Sequence, residues 1–266
     1  MCGFFSLTSD GKGNIKYFNW ELRKKCISGE LNYDPDSHTS INDYYGFNVV
    51  RADNRNKYEF NPLIRKFTVD QINGWDDSDE VERQVRELDF KGICPKLVIK
   101  PIVNPLTDIR FDGEVTEEHI GLLRKWSVAR ICIINSVRDS IIGSVDVSIW
   151  DSVWDSIWSS IWNPVRAAVW DSIWDPVRAI IRDSIWDSVG DSIWSSVDDF
   201  VYSYISSFFN LEKDEWKHCD FDFESNPFQV AIDLWNMGLI PSYDGNVWRL
   251  HAGRDAKVVW KGVVLL

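Results

Sequence analysis

The sequence predicts an α+β protein with a central short-period β-solenoid. Two observations lead to this fold class. Valine or isoleucine occupies every fourth position from Val137 to Ile205 without a gap, and the segments on either side mix short strand patterns with amphipathic helix patterns. The chain has 266 residues, which is long enough to bury a sizeable core. Of its 15 tryptophans, eight lie in the repeat.

Residues 1–135 form the predicted N-terminal α+β region. The alternation of apolar and polar residues over Ile64–Val69 predicts a half-buried strand. Ser78 is predicted to begin a helix, because apolar residues then share one face and acids fill the first turn. The segment Thr116-Glu117-Glu118 is typical of the start of another helix.

Residues 136–206 are the repeat, whose unit is Asp-Ser-Val/Ile-Trp. An α-helix turns about 100° per residue, so a four-residue repeat drifts about 40° per unit around it. Asp, Ser, Val and Trp are middling or poor helix formers, and Pro164 and Pro176 lie inside the array. We therefore expect short strands and turns stacked in coils of about 12 or 16 residues, with Val and Ile pointing inward. A helical repeat is the alternative.

Residues 207–266 are predicted to form a C-terminal α+β cap on the solenoid. Asn226-Pro227 is typical of a helix start, and Gly238 of a helix end. The stretches Val247–Leu250 and Ala256–Trp260 then predict a hairpin.

Two resemblances follow from these patterns. With its inward aliphatic residue and the small residue before it, the repeat is similar in architecture to pentapeptide-repeat β-solenoids. The arrays of Ser-Val-Trp-Asp, together with the flanking stretches Asp36–Ile41, Asn56–Phe60, Pro241–Gly245 and Trp248–His251, resemble those of a group of uncharacterised phage and metagenomic proteins. The second resemblance implies a phage-encoded protein in the host cytoplasm and brings no activity with it.

Charge and cysteine usage exclude several classes of function. The formal net charge is −12, so direct binding of nucleic acid is not expected. No run approaches the roughly 18 to 20 apolar residues of a membrane span, and no signal-peptide pattern is seen, so we expect a cytoplasmic protein. Five scattered cysteines without a CxxC pair indicate reduced thiols. Neither metal-ligand spacing among the histidines nor a cofactor motif is present, so no metal or cofactor is expected, and no small-molecule ligand can be named.

The repeat provides the predicted binding surface, since it holds eleven aspartates and only four arginines. The predicted function is a non-enzymatic interaction or structural protein that presents an acidic, tryptophan-rich surface to a protein partner, with imitation of nucleic acid as one form of it. The competing interpretation is that the aspartates cap turns and keep the repeat in solution. The surface residues are Trp154, Trp158, Trp170, Trp174, Asp151, Asp155, Asp171, Asp175, Arg166 and Arg178.

An enzymatic function is the alternative, and it depends on Cys2. If Met1 is removed, the α-amine of Cys2 can serve as the base for its own thiol. The start Met-Cys-Gly-Phe resembles that of class II glutamine amidotransferases, which implies an N-terminal cysteine hydrolase or amidotransferase. The Arg-Gly-Asp-type and Asn-Gly-Glu segments of that family are absent from the sequence.

Overall fold

The computed structural model describes residues 5–47, 54–145, 147–178 and 183–264, and it describes residues 174–178 and 183–189 by their backbone alone. The chain divides into two compact units. Unit one contains Met1–Pro101, Ile141–Ser156 and Phe208–Asn210, and unit two contains Ile102–Ser140, Ile157–Ser207 and Leu211–Leu266. None of the described helices has the length and the apolar run that are needed to cross a bilayer.

The repeat is helical, and the predicted β-solenoid is wrong. Consecutive helical segments carry the repeat: α5 (Ile133–Ser144), α6 (Val147–Ile157), a π-helical segment (Trp158–Trp162), α7 (Asn163–Arg178) and α8 (Asp183–Ser206). The strands of the described residues lie outside the repeat and form two antiparallel sheets. The architectural resemblance to pentapeptide-repeat solenoids therefore does not hold.

Three physical features allow a four-residue repeat to be helical. Residues at i and i+4 are neighbours on a helix, so each position of the unit forms a continuous row. The array is not one uniform α-helix, so the drift of about 40° per unit accumulates only within each α-helical segment. The π segment Trp158–Trp162 turns the chain less per residue, because its hydrogen bonds run i→i+5, and so it shifts the rows in the opposite sense.

The two prolines, which argued against a helix, are accommodated in α7. Pro164 is the second residue of α7, directly after the π segment. The π segment changes the hydrogen-bond pattern directly before Pro164, so the N–H that proline lacks is missing where the regular α-helical pattern is already interrupted. The helix continues through Pro176 to Arg178, the last residue before the next gap in the described chain.

Unit one contains a sheet of β1 (Ser6–Ser9), β2 (Ile15–Lys16), β3 (Asn56–Asn61) and β4 (Lys66–Gln71), in the order β2-β1-β3-β4 with antiparallel neighbours. It also contains α1 (Trp20–Ile27), α2 (His38–Tyr44) and α3 (Ser78–Glu87). The helix predicted to begin at Ser78 is confirmed. A strand is found near the predicted Ile64–Val69, two residues later at both ends, but it is mostly exposed rather than half-buried. Alternate residues of β3 are buried, as expected for a strand with one face on the core.

The repeat contributes α6 to unit one. Ile149 and Val153 on this helix are at most 2% exposed. On its last turn, the Oγ of Ser156 accepts a hydrogen bond of 2.8 Å from the side-chain amide of Asn61 on β3. The aliphatic column therefore serves as core for unit one.

A buried ion pair joins Arg23 of α1 to Asp36, which lies before α2. The two side chains are 0% and 1% exposed. Both guanidinium NH2 groups donate to the carboxylate, at 2.8 and 2.6 Å, and the Nε donates to the carbonyl of Phe18 at 3.0 Å. The carboxylate also accepts from the backbone N–H of Ser6 and from the hydroxyl of Ser148 on α6. This network compensates the desolvation of both charges.

Unit two contains α4 (Glu117–Ala129), α9 (Gln229–Asn236) and a sheet of β5 (Ile240–Tyr243), β6 (Trp248–Ala252) and β7 (Lys257–Gly262) in that order. Thr116 is the N-cap of α4, as its sequence predicts. The predicted hairpin is confirmed as β6 and β7, which pair antiparallel. Gly238 follows α9 with a φ of +74°, a left-handed conformation that suits glycine after a helix.

Aromatic side chains form the centre of unit two. Trp126 of α4 and Trp235 of α9 are fully buried, and both contact Phe200 of α8. The ring of Tyr204 stacks on Trp235 with a centroid distance of 4.1 Å. The second half of α8 is therefore a core helix rather than a surface helix.

Candidate functional site

The valine or isoleucine position of the repeat unit keeps one environment along the helices. The valines and isoleucines of the column are at most 2% exposed wherever their side chains are described. The position two residues later, where aspartate is commonest, is exposed at Asp151, Asp155, Asp171 and Asp191, and it is buried at Asp199 near the end of the array. Neutral residues at that position are exposed as well: Ser159, Asn163 and Ala167. The helix geometry therefore sets the exposure, and the aspartates supply the charge.

The tryptophan position forms a stacked row in unit two, which we call the Trp–Arg ladder: Trp158, Trp162, Arg166, Trp170 and Trp194. The rings of Trp158 and Trp162 stack with a centroid distance of 3.5 Å and an interplanar angle of 14°. The guanidinium carbon of Arg166 lies 4.3 Å from the Trp162 centroid and 3.6 Å from that of Trp194. Trp194 in turn stacks on Trp170 at 4.6 Å. The ladder thus combines i,i+4 neighbours on one stretch of helix with a ring from α8.

Carboxylates of α8 lie beside the ladder. The indole N–H of Trp162 donates to Asp198 at 2.7 Å. Burial raises the pKa of Asp198, and the Trp162 hydrogen bond and the charge of Arg166 act against this rise. Burial likewise raises the pKa of Asp199 to about 6, although Arg130 forms an ion pair with it at 3.2 Å. The negative charges at this end of the repeat are therefore partly internal.

Unit one carries its own short aromatic and acidic row on α6. The rings of Trp150 and Trp154 stack with a centroid distance of 5.9 Å. Trp150 is buried and Trp154 is half-buried, whereas Asp151 and Asp155 are exposed. The two exposed carboxylates lie one helical turn apart, as neighbours on the same face.

The structure brings together part of the predicted surface. Trp158, Arg166 and Trp170 belong to the ladder, and Asp171 is an exposed neighbour of Trp170 in sequence. Trp154, Asp151 and Asp155 lie in unit one. The side chains of Trp174, Asp175 and Arg178 lie outside the described residues, as does Cys2.

Sequence reasoning missed three members of this site: Trp162, Trp194 and Asp198. The four-residue period contains the signal for Trp162, because this residue lies between Trp158 and Arg166 in the same row. No sequence signal links Trp194 or Asp198 to the ladder, since their contacts depend on how α8 packs against α7.

A serine and a histidine also meet in unit two. The hydroxyl of Ser242 on β5 lies 2.8 Å from Nε2 of His251 on β6, and the carbonyl of Ala256 lies 2.9 Å from Nδ1. A carbonyl only accepts, so Nδ1 carries the proton and Nε2 accepts from the serine. Burial lowers the pKa of His251 to about 4. Because both side chains are 0% exposed, the pair serves to join the two strands and is closed to a substrate.

A groove of about 530 Å³ lies in unit two between α4 and residues 221–230. Lys125, Val128, Phe221, Phe223 and Glu224 are among its lining residues. No tryptophan is among the described lining residues, so the groove is separate from the Trp–Arg ladder. Within the described part of the chain, no group of three His, Cys, Asp or Glu side chains is placed to hold a metal ion.

Comparison with known proteins does not assign the chain to a family. No protein-family model, curated protein or solved structure matches the chain.

Proposed function

We propose that this chain is a non-enzymatic interaction protein whose repeat helices present exposed aspartates to a basic protein partner. One observation supports the proposal most directly. The aspartate position of the repeat is exposed at Asp151 and Asp155 on α6, at Asp171 on α7 and at Asp191 on α8, while the valine or isoleucine position of the same units is buried. The repeat therefore presents exposed aspartates on each unit, which we call the aspartate row: Asp151 and Asp155 in unit one, and Asp171 and Asp191 in unit two.

The row is not explained by the stability of the helices. Asp151 and Asp155 are like charges at i and i+4, an arrangement that destabilises a helix by a few tenths of a kcal/mol. Aspartate is also a poor residue for a helix interior. A basic partner would convert these unfavourable charges into favourable contacts.

The half-buried tryptophans supply the apolar part of such a surface. Trp158, Trp170 and Trp194 in unit two, and Trp154 in unit one, each leave part of the ring accessible. Aromatic residues are enriched at protein interfaces, where they provide large rigid contact areas. We propose a cytoplasmic location and a basic protein as the partner. If that partner also binds DNA, the acidic surface would act as a mimic of nucleic acid.

The test neutralises the row in each unit separately. The full chain is immobilised and exposed to a bacterial lysate, and retained proteins are identified by mass spectrometry. The variants are Asp151→Asn/Asp155→Asn and Asp171→Asn/Asp191→Asn. Asp214→Asn/Asp255→Asn is the matched control, because it removes the same charge from exposed positions outside the repeat.

We expect a basic protein to be retained by the wild type and the control and to bind at least about tenfold more weakly to one or both repeat variants. Circular dichroism verifies that every variant is folded. Equal retention by all four proteins would contradict the proposal, and would leave solubility as the role of the aspartates. Displacement of the partner by duplex DNA would identify the nucleic-acid-mimic form.

A further inference from the structure

Two cysteine thiols of unit two lie close together. Cys132 ends the 3₁₀ turn Arg130–Cys132 that joins α4 to α5, and Cys219 follows the 3₁₀ turn Lys213–Glu215. Cys219 lies close enough to the Cys132 thiol to contribute to the rise of its pKa. Both cysteines are half-buried. The two thiols are therefore close to each other and are also accessible from solvent.

The segment that carries Cys219 is held against α5 by the serine row of the repeat. The Oγ of Ser136 lies 3.1 Å from the sulfur of Cys219, and the Oγ of Ser140 accepts from the backbone N–H of Lys217 at 2.8 Å. Cys132, Ser136 and Ser140 follow one another at steps of four residues, so they share one face of the helical chain. This face is the one on which the Cys219 segment lies.

A further contact positions the neighbour of Cys219. The Nε2 of His218 lies 3.0 Å from a carboxylate oxygen of Asp139 on α5. Three consecutive residues of the segment, Lys217 to Cys219, therefore each contact α5. The two sulfur atoms are kept together by several independent interactions.

We propose that Cys132 and Cys219 are a site of reversible disulfide formation, with a low-molecular-weight disulfide such as oxidised glutathione as the oxidant. The Cys219 thiolate attacks one sulfur of the oxidant, which forms a mixed disulfide and releases one thiolate. The Cys132 thiolate then attacks the sulfur of Cys219, which forms the intramolecular disulfide and releases the second thiolate. The two protons lost by the cysteines are taken up by the two released thiolates, so the protein loses two electrons and the oxidant gains them.

The order of attack follows from the surroundings of Cys132. Burial, and then the proximity of Cys219, raises the pKa of the Cys132 thiol to about 12. The thiolate is the attacking form, so Cys132 is a slow first nucleophile. Once Cys219 is in a mixed disulfide, its thiol no longer opposes ionisation of Cys132, and the second step becomes easier.

The proposed disulfide lies next to the groove of unit two. Ala129, whose carbonyl accepts from the Cys132 thiol at 3.4 Å, lines the groove, and Phe221, two residues after Cys219, lines it as well. A disulfide would therefore link the end of α4 to the chain that forms the other wall. Oxidation is expected to hold the two walls of the groove together.

Peptide mapping of the full chain tests the site directly. The protein is equilibrated in buffers of increasing oxidised-to-reduced glutathione ratio, free thiols are blocked with N-ethylmaleimide, and the chain is digested with trypsin. Cys132 lies in the tryptic peptide 131–138, and Cys219 in 218–249. We expect these two peptides to appear as one cross-linked species within a monomeric chain, and to separate again after treatment with dithiothreitol.

Variants distinguish this bond from general thiol oxidation. Cys132→Ser removes the second nucleophile, so Cys219 should accumulate as a mixed disulfide with glutathione. Cys26→Ser and Cys94→Ser are controls in unit one and should leave the cross-linked species unchanged. The proposal is overturned if the wild type gives only glutathione adducts, only disulfides between chains, or two fully alkylated cysteines at every ratio.

Discussion

The guanidinium carbon of Arg166 on α7 lies 3.6 Å from the ring centroid of Trp194 on α8, two residues that are far apart in sequence. The same cation lies 4.3 Å from the ring of Trp162. A single arginine of the repeat therefore joins two helices of unit two by interactions with tryptophan. Arginine suits this role because its guanidinium is planar and weakly hydrated.

Replacing Arg166 tests the ladder. Arg166→Ala should lower the free energy of unfolding by about 1–2 kcal/mol, because cation–π contacts and ring packing are lost together. Arg166→Lys should lose less stability than Arg166→Ala, because an ammonium ion keeps the charge but cannot stack as a planar group. Urea unfolding followed by tryptophan fluorescence measures both. Arg138→Ala is the control, because Arg138 occupies the same repeat position but is exposed. If Arg138→Ala lowered the free energy of unfolding as much as Arg166→Ala, the ladder would not contribute to stability.

Shortening the aliphatic column should be far more costly than changing the aspartate row. Ile173 is 2% exposed, so Ile173→Ala is expected to cost about 2–5 kcal/mol through lost burial and the cavity left behind. Asp171→Ala changes an exposed residue on the same helix and should stay within about 0.5 kcal/mol of the wild type. Thermal melts of the two variants provide the comparison. A larger effect of Asp171→Ala would mean that the two rows are assigned to the wrong faces.

The buried Arg23–Asp36 pair is expected to be strongly coupled. Arg23→Met or Asp36→Asn alone should destabilise unit one by about 3–5 kcal/mol, because either change leaves a buried charge without its partner. The double variant should be more stable than the sum of the two single effects predicts. A double-mutant cycle from denaturant titrations measures this coupling. Strict additivity would show that the two side chains do not depend on each other.

His251 should make unit two less stable in acid. Its pKa is lowered from 6.5 to about 4 by burial, so between these values the unfolded chain binds more protons than the folded chain. Stability from this group is complete above pH 6.5 and is lost as the pH falls towards 4, by at most about 3 kcal/mol. Asp199 has the opposite sign, since its pKa is raised to about 6 and stability from it is lost as the pH rises through that range.

The contribution of His251 can be isolated with His251→Gln. This variant should be less stable than the wild type at pH 7, and the difference should shrink as the pH is lowered to 4.5, because glutamine does not titrate. Urea midpoints at a series of pH values give the difference directly, and the contribution of Asp199 cancels in the comparison. A difference that stays constant with pH would contradict the neutral, buried state of this histidine.

Local sequence signals determined much of the fold outside the repeat. The acidic first turn after Ser78 and the capping segment at Thr116 predicted helices that the structure contains as α3 and α4. The turn residues between Leu250 and Lys257 likewise predicted the hairpin of β6 and β7. These elements were predictable because caps, turns and amphipathic faces act over a few residues of the chain.

In the repeat, the sequence by itself determined which residues are buried. The unbroken row of valine and isoleucine predicted a continuous core column, and every described member is buried. The tertiary structure decided that the column lies on helices, and that Trp194 and Asp198 of α8 meet Trp162 and Arg166. The reason is that a period of four suits both a solenoid side and the i,i+4 rows of a helix, and both arrangements bury the aliphatic residue. Only the packing of neighbouring elements against each segment distinguishes the two.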